Sequence, residues 1–183
     1  VSTSMLAEDL KPNRLEAAKD VAAEFINGRP NDNIGITLFA GETFTQCPLT
    51  VDHAVLLDMI HNIKCGLITD GTAVGMGIAN AVTRLKDSKA KSKVIILLTD
   101  GTNNKGDISP MTAAEIAKSF GIRVYTIGVG TNGMAPYPYP VGNTVQYVSM
   151  PVEIDEKTLT EIAGTTDGNY FRATSNSKLK EVY

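Results

Sequence analysis

The stretch that decides the fold is Lys93–Asn104, K-V-I-I-L-L-T-D-G-T-N-N. Its apolar run, Val94–Leu98, has no polar alternation, which is typical of a strand buried on both faces in a parallel sheet covered by helices. Thr99-Asp100-Gly101 follows at once, so a carboxylate and a flexible turn come directly after the strand. Ligands of open α/β sheets bind at the carboxyl ends of the strands, which makes Asp100 a candidate site residue.

Helices and strands alternate on both sides of this stretch. Helical spacing of apolar residues predicts helices over residues 14–27, from Asp52 to about Ile63, and over 73–85, 112–120 and 156–163, with a last helix from Asn176 or Ser177. The predicted N-caps are Asn13, Asp52, Thr112 and Asp155. The other predicted strands are 34–40, 43–49, 122–129 and 170–173. Pro48 makes 43–49 a short edge strand.

This order predicts an α/β fold: a doubly wound, mostly parallel sheet with helices on both faces and a short antiparallel edge strand. Residues 1–183 form a single domain, with an irregular insertion at about 130–151. Within it, Tyr137-Pro138-Tyr139-Pro140 is either a loop that covers the sheet edge or a polyproline-type segment that binds a partner. Gly75 and Gly77, early in the helix 73–85, suggest close packing rather than a phosphate cradle.

One element is missing from this order. The chain opens in a polar loop that leads to a helix, whereas a sheet of this type normally begins with a strand. Val1 is also not an initiator methionine. We therefore expect the first central strand to precede Val1 in a longer protein, of which this chain is an N-terminally truncated domain.

Composition excludes several classes of function. A hydrophobic content of 43% and a charged content of 20% are ordinary for a soluble globular protein. The net charge of −3 gives no electrostatic argument for binding nucleic acid or an anionic membrane. No apolar run approaches the roughly 18 residues that span a bilayer. Cys47 and Cys65 are predicted to be plain buried or half-buried thiols.

Hydroxyl and carboxylate side chains recur where loops follow strands or precede helices. They are Ser2 and Ser4, Thr72 in D-G-T-A-V-G, and Asp100. Oxygen ligands of this kind suit Mg²⁺, whereas Zn²⁺ would prefer clustered histidines or cysteines, which the sequence lacks. Each residue alone also has an ordinary interpretation: the serines as loop residues, Thr72 as a helix N-cap, and Asp100 as a turn residue.

Other polar residues receive structural interpretations. Asp70 and Asp107 lie in loops at the same predicted edge and are interpreted as solvated, although either could hydrogen-bond water on a metal. His53 and His61 lie eight residues apart on one predicted helix, two turns from each other, and are assigned structural or surface roles.

Taken in order, these fragments resemble the von Willebrand factor A (VWA) domain. That family carries a metal-ion-dependent adhesion site (MIDAS) with Asp-x-Ser-x-Ser, a distant Thr and a distant Asp. Val1-Ser2-Thr3-Ser4 matches the end of the first part, Thr72 the threonine, and Asp100 the aspartate of L-L-T-D-G. Gly128-Val129-Gly130 and Asp167–Phe171 match later segments, so the resemblance covers the whole chain.

The resemblance implies a function as well as a fold. The metal ligands would be Ser2, Ser4, Thr72 and Asp100, and the ion, Mg²⁺ or Mn²⁺, would keep one position open for an Asp or Glu of a protein partner. The family's first aspartate would stand just before Val1. With Asp100 as the acidic ligand that remains, we expect this chain to bind the ion poorly or not at all, and the complete protein to bind it.

A closer resemblance is to the bacterial aerotolerance (Bat) group of these domains. It is carried by A-E-D-L-K-P-N-R-L-E-A-A-K, residues 7–19, and by Y-P-Y-P. This resemblance implies a soluble domain of a membrane-anchored protein, with transmembrane segments outside residues 1–183. It also implies a MoxR-type AAA ATPase or other VWA proteins as possible partners.

Two enzyme classes are alternatives. L-L-T-D-G-T is superficially similar to the nucleophile loop of Mg²⁺-dependent phosphotransferases of haloacid-dehalogenase type, but those require a D-x-D pair and position 102 is Thr. A dinucleotide-binding dehydrogenase fits less well, because Gly128-Val129-Gly130 comes late in the chain and lacks the third glycine and an early ribose-binding acid. We therefore expect a binding module rather than an enzyme.

Overall fold

The computed structural model describes residues 1–66, 69–131, 133–141, 144–152 and 154–178. Its helices are a short 3₁₀-helix at Thr3–Leu6, α1 Arg14–Asn27, α2 His53–His61, α3 Val74–Leu85, α4 Pro110–Ser119 and α5 Glu156–Thr165. Its strands are β1 Ile34–Phe39, β2 Thr43–Thr50, β3 Lys93–Thr99, β4 Ile122–Val129, β5 Gly133–Val141, β6 Thr144–Val152 and β7 Tyr170–Ala173. A further helical turn begins at Asn176, and the rest of the predicted last helix lies outside the described residues.

The centre of the fold is a parallel sheet with the strand order β3-β4-β7. Lys93 pairs with Ile122 and the register continues without a break to Thr99 and Gly128. Because the strands are parallel, the loops after β3, β4 and β7 leave from one edge of the sheet. This arrangement confirms the predicted α/β class, and it places the loop that follows Asp100 at that edge.

Helices cover both faces of this sheet, as the unbroken apolar run predicts. Ile95 and Leu97 belong to a core cluster with buried residues of α3, α4 and α5. Ile96 and Leu98 pack against the cluster formed by α1 and the ends of β4 and β7. Successive residues of β3 therefore point to opposite, separately buried layers. No helix within the described residues is long and apolar enough to cross a membrane.

A cavity of about 1210 Å³ separates β1 from β3. β1 forms its described ladder with β2, which runs antiparallel to it, and β3 forms its ladder with β4. The cavity is lined by apolar residues of both strands and of the flanking helices, among them Ile36, Leu38, Ile96, Leu98, Ala18 and Ile78. We call this space the central groove. Among the described strands, β1 and β3 belong to separate sheets on the two sides of this groove.

The segment predicted as an irregular insertion at 130–151 is a regular β-hairpin, so that prediction is wrong. β5 and β6 pair in antiparallel register from Gly133 with Val152 to Val141 with Thr144. Pro136, Pro138 and Pro140 are spaced by two residues, so all three face the same edge of β5. The carbonyl of Pro136 accepts a hydrogen bond of 3.0 Å from the amide of Glu8, which shows that this edge points away from β6. Proline at these positions removes no ladder hydrogen bond.

The helix starts agree with the predicted caps except at α4. The side chains of Asn13, Asp52 and Asp155 accept hydrogen bonds from backbone amides in the first turns of α1, α2 and α5. At α4 the cap is Ser109 and not Thr112, because the hydroxyl of Ser109 accepts from the amide of Thr112. Pro110 then occupies the first helical position, where the lack of an N–H costs nothing.

Candidate metal centre

The 3₁₀-helix at Thr3–Leu6 fixes the two serines relative to each other. Ser2 is its N-cap, and the Ser2 hydroxyl accepts a hydrogen bond from the amide of Ser4. The two hydroxyl oxygens lie 3.0 Å apart. One turn of helix therefore brings both side chains to the same side of the backbone, as a metal site built on alternate residues requires.

Asp100 lies beside Ser4. The Ser4 hydroxyl is 3.0 Å from Asp100 Oδ1 and donates to it. Asp100 is 5% exposed because it follows the buried end of β3 directly. Burial raises the pKa of Asp100, even though Arg14 and Ser4 stabilise its ionised form. A bound cation would act in the opposite direction, by favouring the ionised carboxylate.

Thr72 lies in the loop before α3, beside Gly101, the residue that follows Asp100. Its amide donates to Asn104 Oδ1 at 2.9 Å, and its carbonyl accepts from the amide of Asn104. Thr72 is not the N-cap of α3; that position is Ala73, which provides no side-chain cap. Among the described residues, the Thr72 hydroxyl has no hydrogen-bond partner, and a β-carbon at Gly101 would stand 3.3 Å from it. The hydroxyl is thus free beside the residue that follows Asp100.

Asp70 belongs to this group as well, although its side chain is exposed. It accepts hydrogen bonds from the hydroxyls of Thr3 and Ser2, at 2.7 and 3.0 Å, and from the amides of Thr3 and Gly71. The hydrogen bond from the Thr3 hydroxyl, with those from the other donors, lowers the pKa of Asp70. The interpretation of Asp70 as merely solvated was therefore incomplete. Asp107 is exposed, as expected.

Arg14 is the residue that the sequence analysis missed. It is 1% exposed, and its Nη1 donates to Asp100 Oδ2 at 2.9 Å. The other side of the guanidinium makes two parallel bonds to Asp9, of 2.7 Å from Nε and 2.6 Å from Nη2. Arg14 thus joins the carboxylates of Asp9 and Asp100. A sequence signal existed, since Arg14, Ala17 and Val21 share the helical spacing of one buried stripe.

Asp9 anchors the far side of this ion pair. Besides Arg14, it accepts from the amide and hydroxyl of Thr131, at 2.7 and 3.0 Å, in the loop after β4. Burial alone would raise the pKa of Asp9, but the hydrogen bonds from Arg14 and Thr131 lower it to about 2. Asp9 is therefore ionised at neutral pH, and the network Asp100–Arg14–Asp9 connects β3, α1 and the start of the hairpin.

These residues fit a hard divalent cation by the chemistry of their donor atoms. Among the described residues, no group of three or more His, Cys, Asp or Glu side chains could hold a metal ion. The available set consists instead of the hydroxyls of Ser2, Ser4 and Thr72 with the carboxylate of Asp100. The serines can direct their protons to Asp70 and Asp100, which leaves oxygen lone pairs for a cation. An all-oxygen set suits Mg²⁺ or Mn²⁺.

Comparison with known proteins places the whole chain in one family. The family profile of the von Willebrand factor type A domain matches residues 1–183. A conserved protein, BatB, from Bacteroides thetaiotaomicron is 34% identical in sequence, with a TM-score of 0.86 over 100% of this chain and 91% of that one. An aerotolerance-related membrane protein from Bacteroides fragilis is 32% identical, with a TM-score of 0.85 over 99% of this chain and 91% of that one.

More distant comparisons bear on the fold and on chain length. The proximal thread matrix protein 1 of the mussel byssus, whose MIDAS motif holds zinc, is 23% identical, with a TM-score of 0.71 over 97% of this chain and 41% of that one. The chain spans about half the length of the curated relatives that it matches. One, from Borreliella burgdorferi, is 31% identical over 173 residues, which are 93% of this chain and 51% of that protein.

Proposed function

The chain belongs to the von Willebrand factor type A domain family and resembles its aerotolerance-related members, and from this premise we propose that it is a metal-ion-dependent protein-binding module. In this proposal Ser2, Ser4, Thr72 and Asp100 hold Mg²⁺ or Mn²⁺. The ion supplies the positive charge that a carboxylate of a protein partner binds. The domain itself contributes recognition and not chemistry.

The observation that carries this proposal is a hydrogen-bonded set of oxygens with an unpaired hydroxyl nearby. Ser2, Ser4 and Asp100 are joined by contacts of 3.0 Å, while the hydroxyl of Thr72, beside Gly101, has no partner among the described residues. Thr72 is 8% exposed, and a cation that approaches from the loops after the strands would give its hydroxyl a ligand contact. Asp70 and Asp100 orient the serine hydroxyls through hydrogen bonds.

The donor atoms support Mg²⁺ or Mn²⁺ as the proposed ion. Zinc occupies the MIDAS motif of the mussel protein, but Zn²⁺ sites are usually built with histidine or cysteine. Here the candidate ligands are hydroxyls and one carboxylate, which favour Mg²⁺ or Mn²⁺. The affinity of this chain for the ion should be low, since one carboxylate neutralises only half of the charge of a divalent cation.

The partner and the setting are proposed from the relatives. The Bacteroides fragilis relative is described as a membrane protein, so we place this domain in a membrane-anchored protein whose anchoring segments lie outside residues 1–183. The partner is a protein that offers an Asp or Glu, with a MoxR-type AAA ATPase or another VWA protein as the first candidates to test.

The Thr72→Val variant tests the proposed metal site. Valine keeps the shape of the side chain, and the Thr72 hydroxyl makes no described hydrogen bond, so stability should change by less than about 0.5 kcal/mol. Mn²⁺ binding, followed by electron paramagnetic resonance of the free ion, should weaken several-fold. Thr102→Val is the matched control, because Thr102 is an exposed residue of the loop after Asp100 that is not a proposed ligand. Measurable Mn²⁺ binding of equal strength by all three proteins would contradict the site.

Two further assays separate a binding module from an enzyme. A candidate partner should be retained on the immobilised domain with Mg²⁺ and released by EDTA. Hydrolysis of p-nitrophenyl phosphate with Mg²⁺ should be absent, because Thr102 stands where such phosphotransferases have the second aspartate of the D-x-D pair. Mg²⁺-dependent turnover that Asp100→Asn abolishes would instead support the phosphotransferase alternative.

A further inference from the structure

We propose that Arg14 pairs with Asp100, the same carboxylate that would bind the metal ion. This pairing lowers the affinity of the site for the ion. This inference rests on the proposed function, since it concerns the same metal centre. It goes beyond it by assigning a role to a residue that is not itself a ligand. Arg14 acts through Asp100 and is therefore a positioning residue with an electrostatic effect.

The geometry of the ion pair gives the direction of the effect. Nη1 of Arg14 contacts Oδ2 of Asp100, whose Oδ1 contacts Ser4, while Nε and Nη2 contact Asp9 at the other side of the guanidinium. The guanidinium thus lies between the site and Asp9. A cation held by Ser2, Ser4 and Asp100 would meet the positive charge of Arg14 before the negative charge of Asp9. The pair behaves as a dipole whose positive end faces the site.

Burial makes this dipole effective. The side chains of Arg14, Asp9 and Asp100 are 1%, 5% and 4% exposed, so little water screens their charges. The guanidinium stays protonated at all physiological pH values, unlike a lysine or a histidine. Asp100 is therefore neutralised in part before any metal arrives, and a divalent ion has to share it. Low affinity in the free domain is the expected result.

This arrangement links the metal ion to the partner. With the charge of Asp100 already shared, the carboxylate of a partner supplies much of the negative charge that the ion requires. The ion and the partner should then bind cooperatively, each raising the affinity of the site for the other. A domain of this kind would release its metal when the partner leaves.

Three variants test the inference with Mn²⁺ as the probe, measured by electron paramagnetic resonance on the chain of residues 1–183. The double variant Arg14→Met/Asp9→Asn removes both ends of the dipole and leaves Asp100 to the metal. Because it also leaves the buried Asp100 without a counterion until the metal binds, its stability is measured separately. Its Mn²⁺ affinity should rise roughly tenfold. Asp9→Asn alone leaves Arg14 to Asp100 and should lower the affinity several-fold. Arg14→Lys keeps the charge and should give no rise.

The signs of these changes distinguish the inference from structural damage, because a disrupted site can lose affinity but does not gain it. Circular dichroism and thermal unfolding establish whether each variant is folded. If the double variant is not folded, the inference is decided by the other two variants: the Mn²⁺ affinity should fall in Asp9→Asn and should not rise in Arg14→Lys. The role of Arg14 would be overturned, with the metal site intact, by equal Mn²⁺ affinities of wild type, Asp9→Asn and the double variant. A fall of the Mn²⁺ affinity in the double variant would have the same meaning. No Mn²⁺ binding by any of these proteins, nor by the chain extended with an aspartate before Val1, would overturn the proposed metal site as well.

Discussion

A β-carbon at Gly130 would stand 2.6 Å from Cζ of Arg14. Gly130, with a φ of 117°, also has a backbone conformation that residues with a side chain rarely adopt. The glycine that follows β4 therefore leaves the space in which the guanidinium lies between Asp9 and Asp100. The buried ion pair depends on a backbone position more than a hundred residues away in sequence.

Gly130→Ala should destabilise the domain by roughly 3 kcal/mol, because it adds a steric conflict with a buried side chain to the strain of a positive φ. Gly133→Ala is the matched control: its φ is 106°, but nothing lies within 4 Å of the added carbon. It should cost about 1 kcal/mol. Urea unfolding of both variants measures the difference. Equal losses would show that Arg14 moves aside at no cost.

The depressed pKa of Asp9 predicts a pH dependence of stability. The pKa falls from an ordinary 3.8 to about 2 on folding, so the stabilising contribution is complete above about pH 4 and is lost as the pH falls through 2. The loss amounts to about 2 kcal/mol. Asp70 also has a lowered pKa, so the wild-type curve alone does not identify Asp9.

The difference between wild type and Asp9→Asn isolates that contribution. Measured by urea unfolding, the free energy of unfolding of wild type should exceed that of the variant by about 2 kcal/mol more at pH 5 than at pH 2. Asp70 and Asp100 titrate in both proteins and so largely cancel. A difference that stays constant from pH 5 to pH 2 would show that Asp9 is not ionised through the network.

Local signals in the sequence were sufficient for most of the fold. The apolar run of β3 and the cap at Asn13 each depend on neighbouring residues, and both are as predicted. The hairpin β5–β6 was missed because prolines usually exclude a strand, and only the docking of Glu8 shows that they face an outer edge. The cap of α4 was misplaced by three residues because Ser109 and Thr112 are both good capping residues.

The candidate ligands were predicted from the sequence, but the residues that contact and position them were not. Ser4 and Asp100, whose spacing carried the prediction, do lie in hydrogen-bond contact. Their role as metal ligands stays a prediction. Arg14 could not be assigned from local pattern alone, because a buried arginine requires carboxylates that tertiary packing supplies, one of them 86 residues away.

Gly75 tests the predicted close packing at the start of α3. An added β-carbon would collide with the carbonyl oxygen of Ile108, which belongs to the backbone and cannot move aside easily. Gly75→Ala should therefore cost roughly 3 kcal/mol or more. Gly164→Ala, in α5, meets nothing within 4 Å and should instead stabilise the domain by roughly 0.5–1 kcal/mol. Thermal unfolding of both variants checks the contrast, and similar shifts would contradict it.

The central groove predicts what an added strand would do. Within the described residues, the edges of β1 and β3 that face the groove have no strand partner, and buried backbone groups without partners are costly. Val1 lines the groove, so a strand joined to it can enter directly. Six apolar residues and an aspartate placed before Val1 should raise the free energy of unfolding by roughly 3 kcal/mol or more.

Two control extensions separate the strand from the carboxylate. Proline at two central positions of the extension removes ladder donors and should abolish the gain in stability. Asparagine in place of the added aspartate should keep the gain in stability but lose the gain in Mg²⁺ affinity, which we expect to be roughly tenfold from the second charge. Isothermal titration with Mg²⁺ measures this gain. Equally tight binding by the extended and unextended chains would show that Asp100 suffices, and the site would not need a second carboxylate.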